Sequence, residues 1–152
     1  LKSAGMTVRT TFICGFPGET KEQFEKLRQF VKDTEFDYAG FFAYSREEGT
    51  PADKLDGHLP EKVKNQRADE LKKLQEKIIE KHNASLVGKT VEVIYDDIDY
   101  DRQAFVGRMQ SQAPDIDNVV YFTSEDEVKI GNFYDVEITG STGVDLTGRV
   151  IK

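Results

Sequence analysis

The chain has 152 residues, of which 38% are hydrophobic and 32% charged, so it is long enough to bury a core and charged enough for a soluble protein. No apolar run approaches the roughly 20 residues of a membrane span, and nothing near the start resembles a signal peptide. The single cysteine, Cys14, excludes an internal disulfide and predicts a reducing compartment, which by default is the cytoplasm.

The net charge of −7 is unevenly distributed. Residues 1–85 carry 15 basic and 15 acidic side chains, whereas residues 86–152 carry 6 basic and 13 acidic ones. The whole excess of negative charge therefore lies in the second half, which the sequence predicts to be a separate acidic unit.

The first predicted element is a buried strand, over residues 7–14, rich in β-branched and aromatic residues. The segment Phe16–Glu19 then places Pro and Gly at the two central positions of a type II turn. Thr20 and Gln23 form a capping box, which predicts a helix beginning at Lys21.

A second strand is predicted over residues 38–45, and the loop "REEGTPA" follows it. The order strand, helix, strand is typical of a parallel crossover. Pro60 suits the first turn of a long charged helix that runs to about Leu86, with an apolar stripe on one side. The members of that stripe are Val63, Leu71, Leu74, Ile78 and His82.

After Gly88 the periodicity changes to short segments that alternate apolar and polar residues. Turn or acidic residues separate them, which predicts a small antiparallel β-barrel. The segments are "KTVEVIYDD", "QAFVGRM", "NVVYF", "FYDVEITGS" and "DLTGRVIK".

The Gly-rich turn after the first strand predicts either a ligand site or a tight loop without a ligand. A strand that ends at a helix N-terminus can present backbone N–H groups, and glycine lets a ligand approach the backbone closely. Tyr44 and Ser45 fall where the second strand reaches the same carboxyl edge, so the two strand ends either share one ligand or form ordinary turns.

Two further side chains have open interpretations. Arg9, on a strand predicted to be buried, needs an anionic partner, which is either a ligand carboxylate or a neighbouring Glu. Cys14 is interpreted as a small buried hydrophobe, because a lone cysteine cannot build a zinc or iron–sulfur site.

Together, "TTFICGFPGET" (10–20) and "YSREEGTPA" (44–52) resemble two motifs of the radical S-adenosylmethionine methylthiotransferase family. The resemblance implies an α/β plus all-β fold in three parts. Residues 1–59 would be the last βα units of a partial (β/α) radical barrel, residues 60–87 a linker helix, and residues 88–152 a small OB-like barrel called the TRAM domain.

The family resemblance also implies cofactors. Such enzymes use S-adenosylmethionine and two [4Fe–4S] clusters, but the chain has no CxxxCxxC motif. The chain is therefore expected to be a fragment that is inactive alone and holds no catalytic residue or metal ligand. By resemblance, two strand-end segments would line the nucleoside side of S-adenosylmethionine, through Gly15, Phe16, Pro17, Gly18 and Glu19 and through Phe42, Tyr44 and Ser45.

Within this family, substrates are either a tRNA adenosine or an aspartate of the small-subunit ribosomal protein S-twelve. "YSREEGT", "GRMQSQAPDIDNVVYF" and "GVDLTGRV" resemble the ribosomal-protein branch. An acidic barrel also disfavours RNA, since nucleic-acid affinity comes largely from Lys and Arg, and it suits a basic protein partner. The acids could instead serve only solubility, and a local basic patch around Arg102, Arg108 and Lys129 stays open.

The favoured hypothesis is thus part of an enzyme that adds a β-methylthio group to an aspartate of ribosomal protein S-twelve. The alternatives are a tRNA methylthiotransferase of the same family and a non-enzymatic binding module. Because two βα units cannot close a barrel, the first part is also expected to expose an apolar sheet face and to self-associate.

Overall fold

The computed structural model describes residues 4–151, which form two compact units with a boundary between Ile78 and Ile79. The first unit contains β1 (Arg9–Cys14), α1 (Lys21–Thr34), β2 (Tyr38–Ala43), a short 3-10 helix (Ala52–Lys54) and the start of α2 (Glu61–Leu86). The second contains the end of α2 followed by five strands. Within residues 4–151, neither helix is long and apolar enough to cross a membrane.

β1 and β2 pair in parallel, with Arg9 opposite Tyr38 and Cys14 opposite Ala43, which confirms the predicted crossover. The helix between them begins as expected, because the Thr20 side chain accepts from the Gln23 amide while the Gln23 side chain accepts from the Thr20 amide.

One face of the two-stranded sheet packs against the helices, and the other is open. Phe12 and Phe41 lie opposite each other on the packed face, with ring centroids 5.5 Å apart. Ile13 and Phe42 pair on the open face and are 57% and 60% exposed. The buried core of this unit consists of Cys14, Phe24, Val31, Phe41, Ala68 and Leu71.

The environment of Arg9 differs from the expectation. Arg9 is exposed, and its guanidinium lies 4.5 Å from the centroid of the Tyr38 ring. The prediction of a buried arginine was wrong, because Arg9 shares the open face of the sheet with Ile13.

α2 has the predicted extent, and most of its predicted stripe is confirmed. Leu71 is fully buried and Leu74 and Ile78 pack against the same core, whereas His82 is exposed. Three polar residues of the helix are buried as well: Lys64, Gln75 and Asn83. Each has a backbone carbonyl acceptor within its own unit, so burial does not leave it without a hydrogen bond.

The second unit is a closed five-stranded barrel in the order β3-β4-β5-β7-β6. Its strands are β3 (Thr90–Asp99), β4 (Ala104–Arg108), β5 (Val120–Thr123), β6 (Phe133–Thr142) and β7 (Asp145–Val150). Its buried core consists of Val93, Tyr95, Val120, Phe122, Val136, Ile138 and Leu146. The α/β plus all-β fold class with an OB-like barrel is thereby confirmed.

One junction of the barrel is not antiparallel. β4 and β6 both run antiparallel to β3, so β5 and β7, each antiparallel to one of them, run in the same direction and pair in parallel. The expectation of an all-antiparallel barrel was wrong at this junction, because pairing between strands that are not consecutive cannot be read from alternation.

Candidate functional site

The turn after β1 has the predicted type II geometry. Gly18 has φ of +80°, and the Glu19 amide donates to the Phe16 carbonyl at 2.9 Å. Proline at the first central position and glycine at the second are the residues that this turn requires.

The N–H groups of this loop are largely occupied by the protein itself. The Gly15 amide donates to the Glu19 carboxylate at 3.0 Å, and the Gly18 amide donates to the Gly57 carbonyl at 2.9 Å. The Thr20 amide is taken by the capping box. The expected row of free N–H groups is therefore mostly absent along residues 15–20.

The side chain of Lys64 packs against Gly15. Gly15 has a φ of +75°, and a Cβ atom at this position would overlap the side chain of Lys64. The space that a ligand was expected to approach is thus filled by a side chain of α2. At Gly18, by contrast, a Cβ would meet nothing within 4 Å, so that side of the turn is open.

The end of β2 presents side chains in three different environments. Phe42 is largely exposed, next to Ile13 on the open face. Tyr44 is 8% exposed, and its hydroxyl is buried without a hydrogen-bond partner. Ser45 is exposed and donates to the Glu47 carboxylate at 3.0 Å.

The structure brings the two strand ends together. The Tyr44 amide donates to the Cys14 carbonyl at 2.8 Å, and the Phe16 ring contacts the Tyr44 ring edge to face at 5.2 Å between centroids. The two segments that the motifs singled out are therefore neighbours at the carboxyl edge of the sheet.

Sequence reasoning missed residues that complete this region. Arg67 forms an ion pair with Glu19, and Lys64 donates to the Tyr44 carbonyl at 2.9 Å. The ring of His58 lies 6.1 Å from that of Tyr44. Lys64 and Arg67 occur in a run of charged residues that reads as a solvated helix face. The only available signal was their spacing of three, which places them on the same side of α2.

Cys14 is a buried hydrophobe, as predicted. It has no exposed surface, and burial, assisted by the nearby Glu19 carboxylate, raises the pKa of its thiol to about 11. No group of three or more His, Cys, Asp or Glu residues within residues 4–151 is arranged to hold a metal ion.

The barrel unit pairs each of its arginines with a carboxylate. Arg102 lies 3.1 Å from Asp99 and Arg149 lies 2.7 Å from Glu137. The Arg108 Nε atom lies 2.9 Å from the carboxylate of Asp96, without hydrogen-bond alignment. Arg102 also donates to the Tyr121 hydroxyl at 2.6 Å and stacks over that ring.

These ion pairs locally neutralise the three arginines of the barrel. The basic patch that the sequence left open around Arg102, Arg108 and Lys129 is therefore offset at its two arginines by Asp99 and Asp96. A groove of about 450 Å³ lies elsewhere on this unit, and its lining combines two acids with one arginine. The lining residues are Thr123, Ser124, Glu125, Asp126, Arg149, Val150 and Ile151.

Comparison with known families identifies the second unit. Residues 87–151 match the family model of the TRAM domain. The match begins at the residue after α2 and ends just after β7, so it covers the closed barrel described above.

Similarity to curated proteins extends through both units. The chain is 44% identical over 147 residues to "Ribosomal protein uS12 methylthiotransferase RimO" of Elusimicrobium minutum, covering 97% of the chain and 33% of that protein. It is 45% identical over 144 residues to the protein of the same name from Clostridioides difficile, covering 95% of the chain and 32% of the relative. A Nostoc relative of that name is 44% identical over 148 residues, with 97% and 33% covered. The chain thus spans about a third of the length of these relatives.

Proposed function

We propose that the chain, which matches these relatives over 95–97% of its length, belongs to the RimO-type methylthiotransferase family. On that premise the whole protein would add a methylthio group to an aspartate of ribosomal protein uS12. The observation that carries the proposal is the match at about 44% identity, which spans 95–97% of the chain and therefore extends over both units. In such a reaction S-adenosylmethionine supplies the radical and the methyl group, and iron–sulfur clusters supply electrons and sulfur.

The first unit would contribute part of the S-adenosylmethionine site. Three features support this role: the turn is open on the side where a Gly18 Cβ would lie, Phe42 and Ile13 present apolar surface, and the buried Tyr44 hydroxyl lacks a partner. Apolar surface with a few polar groups fits a nucleoside better than a bare phosphate. The segments Gly15–Glu19 and Phe42–Ser45 would border the ligand through the open side of the turn at Gly18 and through aromatic contacts.

The residues of this chain do not fit an iron–sulfur cluster. Cys14 is its one cysteine, and a buried thiol with a raised pKa is a poor ligand. We therefore expect other parts of the whole protein to supply the cluster ligands, and the chain alone to be inactive.

The barrel would recognise the protein substrate. The support is electrostatic, because residues 86–152 carry 13 acidic and 6 basic side chains and the three arginines among them are paired with carboxylates. Such a surface repels phosphates and attracts a basic protein.

Binding measurements with each candidate partner distinguish a protein substrate from an RNA substrate. Fluorescence anisotropy of the whole protein would be measured with purified uS12 and with a tRNA anticodon stem-loop, at low and moderate salt. Replacing Glu125 and Asp126 together by Lys should weaken uS12 binding about tenfold, whereas Glu80→Lys, an exposed charge reversal on α2, should leave it within twofold. Salt-sensitive binding of the stem-loop, without binding of uS12, would indicate a tRNA enzyme instead.

The open sheet face predicts self-association of the separate chain. Ile13 and Phe42 are more than half exposed on a two-stranded sheet, which leaves apolar surface and strand edges uncovered. Sedimentation of the chain at rising concentration should show a dimer that Phe42→Lys abolishes. A monomer throughout the concentration range would contradict this expectation.

A further inference from the structure

We propose that Lys64 and Arg67 of α2 are positioning residues that hold the two strand-end loops of the S-adenosylmethionine site in one arrangement. The inference rests on the proposed function, because it assigns these loops to that ligand. It adds a role for a helix whose charged sequence otherwise reads as a solvated surface.

Arg67 acts on the loop after β1 through Glu19. Its guanidinium forms an ion pair with the Glu19 carboxylate and donates to the Glu19 carbonyl at 3.1 Å. The other oxygen of that carboxylate accepts from the Gly15 amide at 3.0 Å. The side chains of Arg67 and Glu19 are only 12% and 14% exposed, so water screens the pair weakly.

Lys64 acts on the loop after β2. Its side chain is 3% exposed, and its ammonium donates to the Tyr44 carbonyl at 2.9 Å and to Glu61. The ammonium also lies 5.5 Å from the centroid of the Tyr44 ring. The aliphatic part of Lys64 covers Gly15, so this one side chain contacts both loops.

The spacing of the two residues explains why one helix can hold both loops. Residues three apart lie on the same side of a helix, and here that side faces the carboxyl edge of the sheet through Lys64 and Arg67. A buried lysine must be hydrogen-bonded, and of the two acceptors of Lys64 the Tyr44 carbonyl belongs to a proposed ligand segment. Loops held in this way lose less freedom when the ligand binds.

The test compares ligand affinity with catalysis in the whole protein carrying its clusters. Equilibrium dialysis would give the dissociation constant for S-adenosylmethionine, and 5′-deoxyadenosine formation would give KM and kcat. Arg67→Gln and Lys64→Met should raise the dissociation constant and KM about tenfold and leave kcat within twofold. Lys73→Met, on an exposed position of α2, is the matched control and should change neither.

Conservative variants separate positioning from simple structural support. Arg67→Lys keeps a donor for Glu19 and should recover most of the affinity for S-adenosylmethionine. If Arg67→Gln does not fold, the affinity is compared between Arg67→Lys, Lys64→Met and the wild type. Unchanged affinity in Arg67→Gln and Lys64→Met, with wild-type binding intact, would overturn the positioning role while leaving the proposed function standing. Failure of the wild-type protein to bind S-adenosylmethionine would instead overturn the proposed function, and the positioning role with it.

Discussion

The side chain of Lys64 occupies the space in which a Cβ atom on Gly15 would lie. Gly15 therefore meets two constraints at once, a left-handed backbone and a neighbour in contact. At Gly18 only the backbone constraint applies, because its φ is also positive but a Cβ there would meet nothing within 4 Å.

Gly15→Ala should destabilise the first unit more than Gly18→Ala does. Both variants place an alanine at positive φ, which costs roughly 1–2 kcal/mol. Only Gly15→Ala also forces Lys64 aside, which adds roughly 1–3 kcal/mol of overpacking. Urea unfolding followed by circular dichroism measures the difference, and equal losses in the two variants would contradict the crowding at Gly15.

Asn83 and Asn118 share one acceptor in the second unit. Their amide groups both donate to the Val144 carbonyl, at 2.6 and 2.8 Å. Each single Ala variant should cost about 1 kcal/mol, because the carbonyl keeps one partner. The double variant should lose more than the sum, since the carbonyl is then left without a donor. A double-mutant cycle on barrel unfolding measures the coupling, and strict additivity would argue against a shared acceptor.

Gly148 lies in a crowded position of the barrel wall. A Cβ there would meet the Val136 side chain at 2.5 Å and the Glu137 carbonyl oxygen at 2.7 Å. Gly148→Ala should therefore cost roughly 1–3 kcal/mol through overpacking. Gly140→Ala is the control, because its nearest neighbour is the Thr147 hydroxyl at 3.1 Å, which can rotate away. Thermal melting ranks the two variants, and a larger loss in Gly140→Ala would refute this ranking.

The Cys14 thiol should make stability fall at alkaline pH. Burial raises its pKa from 9.0 to about 11, so the unfolded chain releases the proton at a lower pH than the folded protein does. The stabilising contribution is therefore complete below pH 9 and is lost as the pH rises towards 11. Unfolding free energies of the wild type and Cys14→Ala, measured between pH 8 and pH 11, should converge. A constant difference across that range would contradict the shift.

The parts of this fold that could be predicted are those that short sequence motifs determine. The capping box of Thr20 and Gln23 gave the start of α1 to the residue, and Pro17-Gly18 gave the turn type. The meeting of the two strand ends followed from the parallel crossover, which brings Phe16 beside Tyr44. The capping box and the turn depend on residues close together in sequence. The meeting of the strand ends depends on the strand–helix–strand connection, which normally gives a parallel pair.

The unpredictable parts depend on partners far apart in sequence. Lys64 looks like a surface residue until the Tyr44 carbonyl, 20 residues away, is placed beside it. Gln75 is buried, and its side-chain amide donates to the Phe36 carbonyl, 39 residues away, at 2.8 Å. The parallel β5–β7 junction follows from barrel closure rather than from any pattern within those strands. Amphipathic periodicity assigns polar residues to solvent and cannot anticipate such exceptions.

The three buried polar side chains of α2 make the same type of hydrogen bond. Lys64, Gln75 and Asn83 each donate to a main-chain carbonyl, of Tyr44, Phe36 and Val144 respectively. A carbonyl is present whichever amino acid occupies the position, so these bonds place no chemical demand on the partner's side chain. Substitutions at positions 36, 44 and 144 would therefore keep these three side-chain hydrogen bonds, whereas substitutions at positions 64, 75 or 83 would break them. In evolutionary terms, these hydrogen bonds constrain the amino acids of α2 but not those of their acceptor positions.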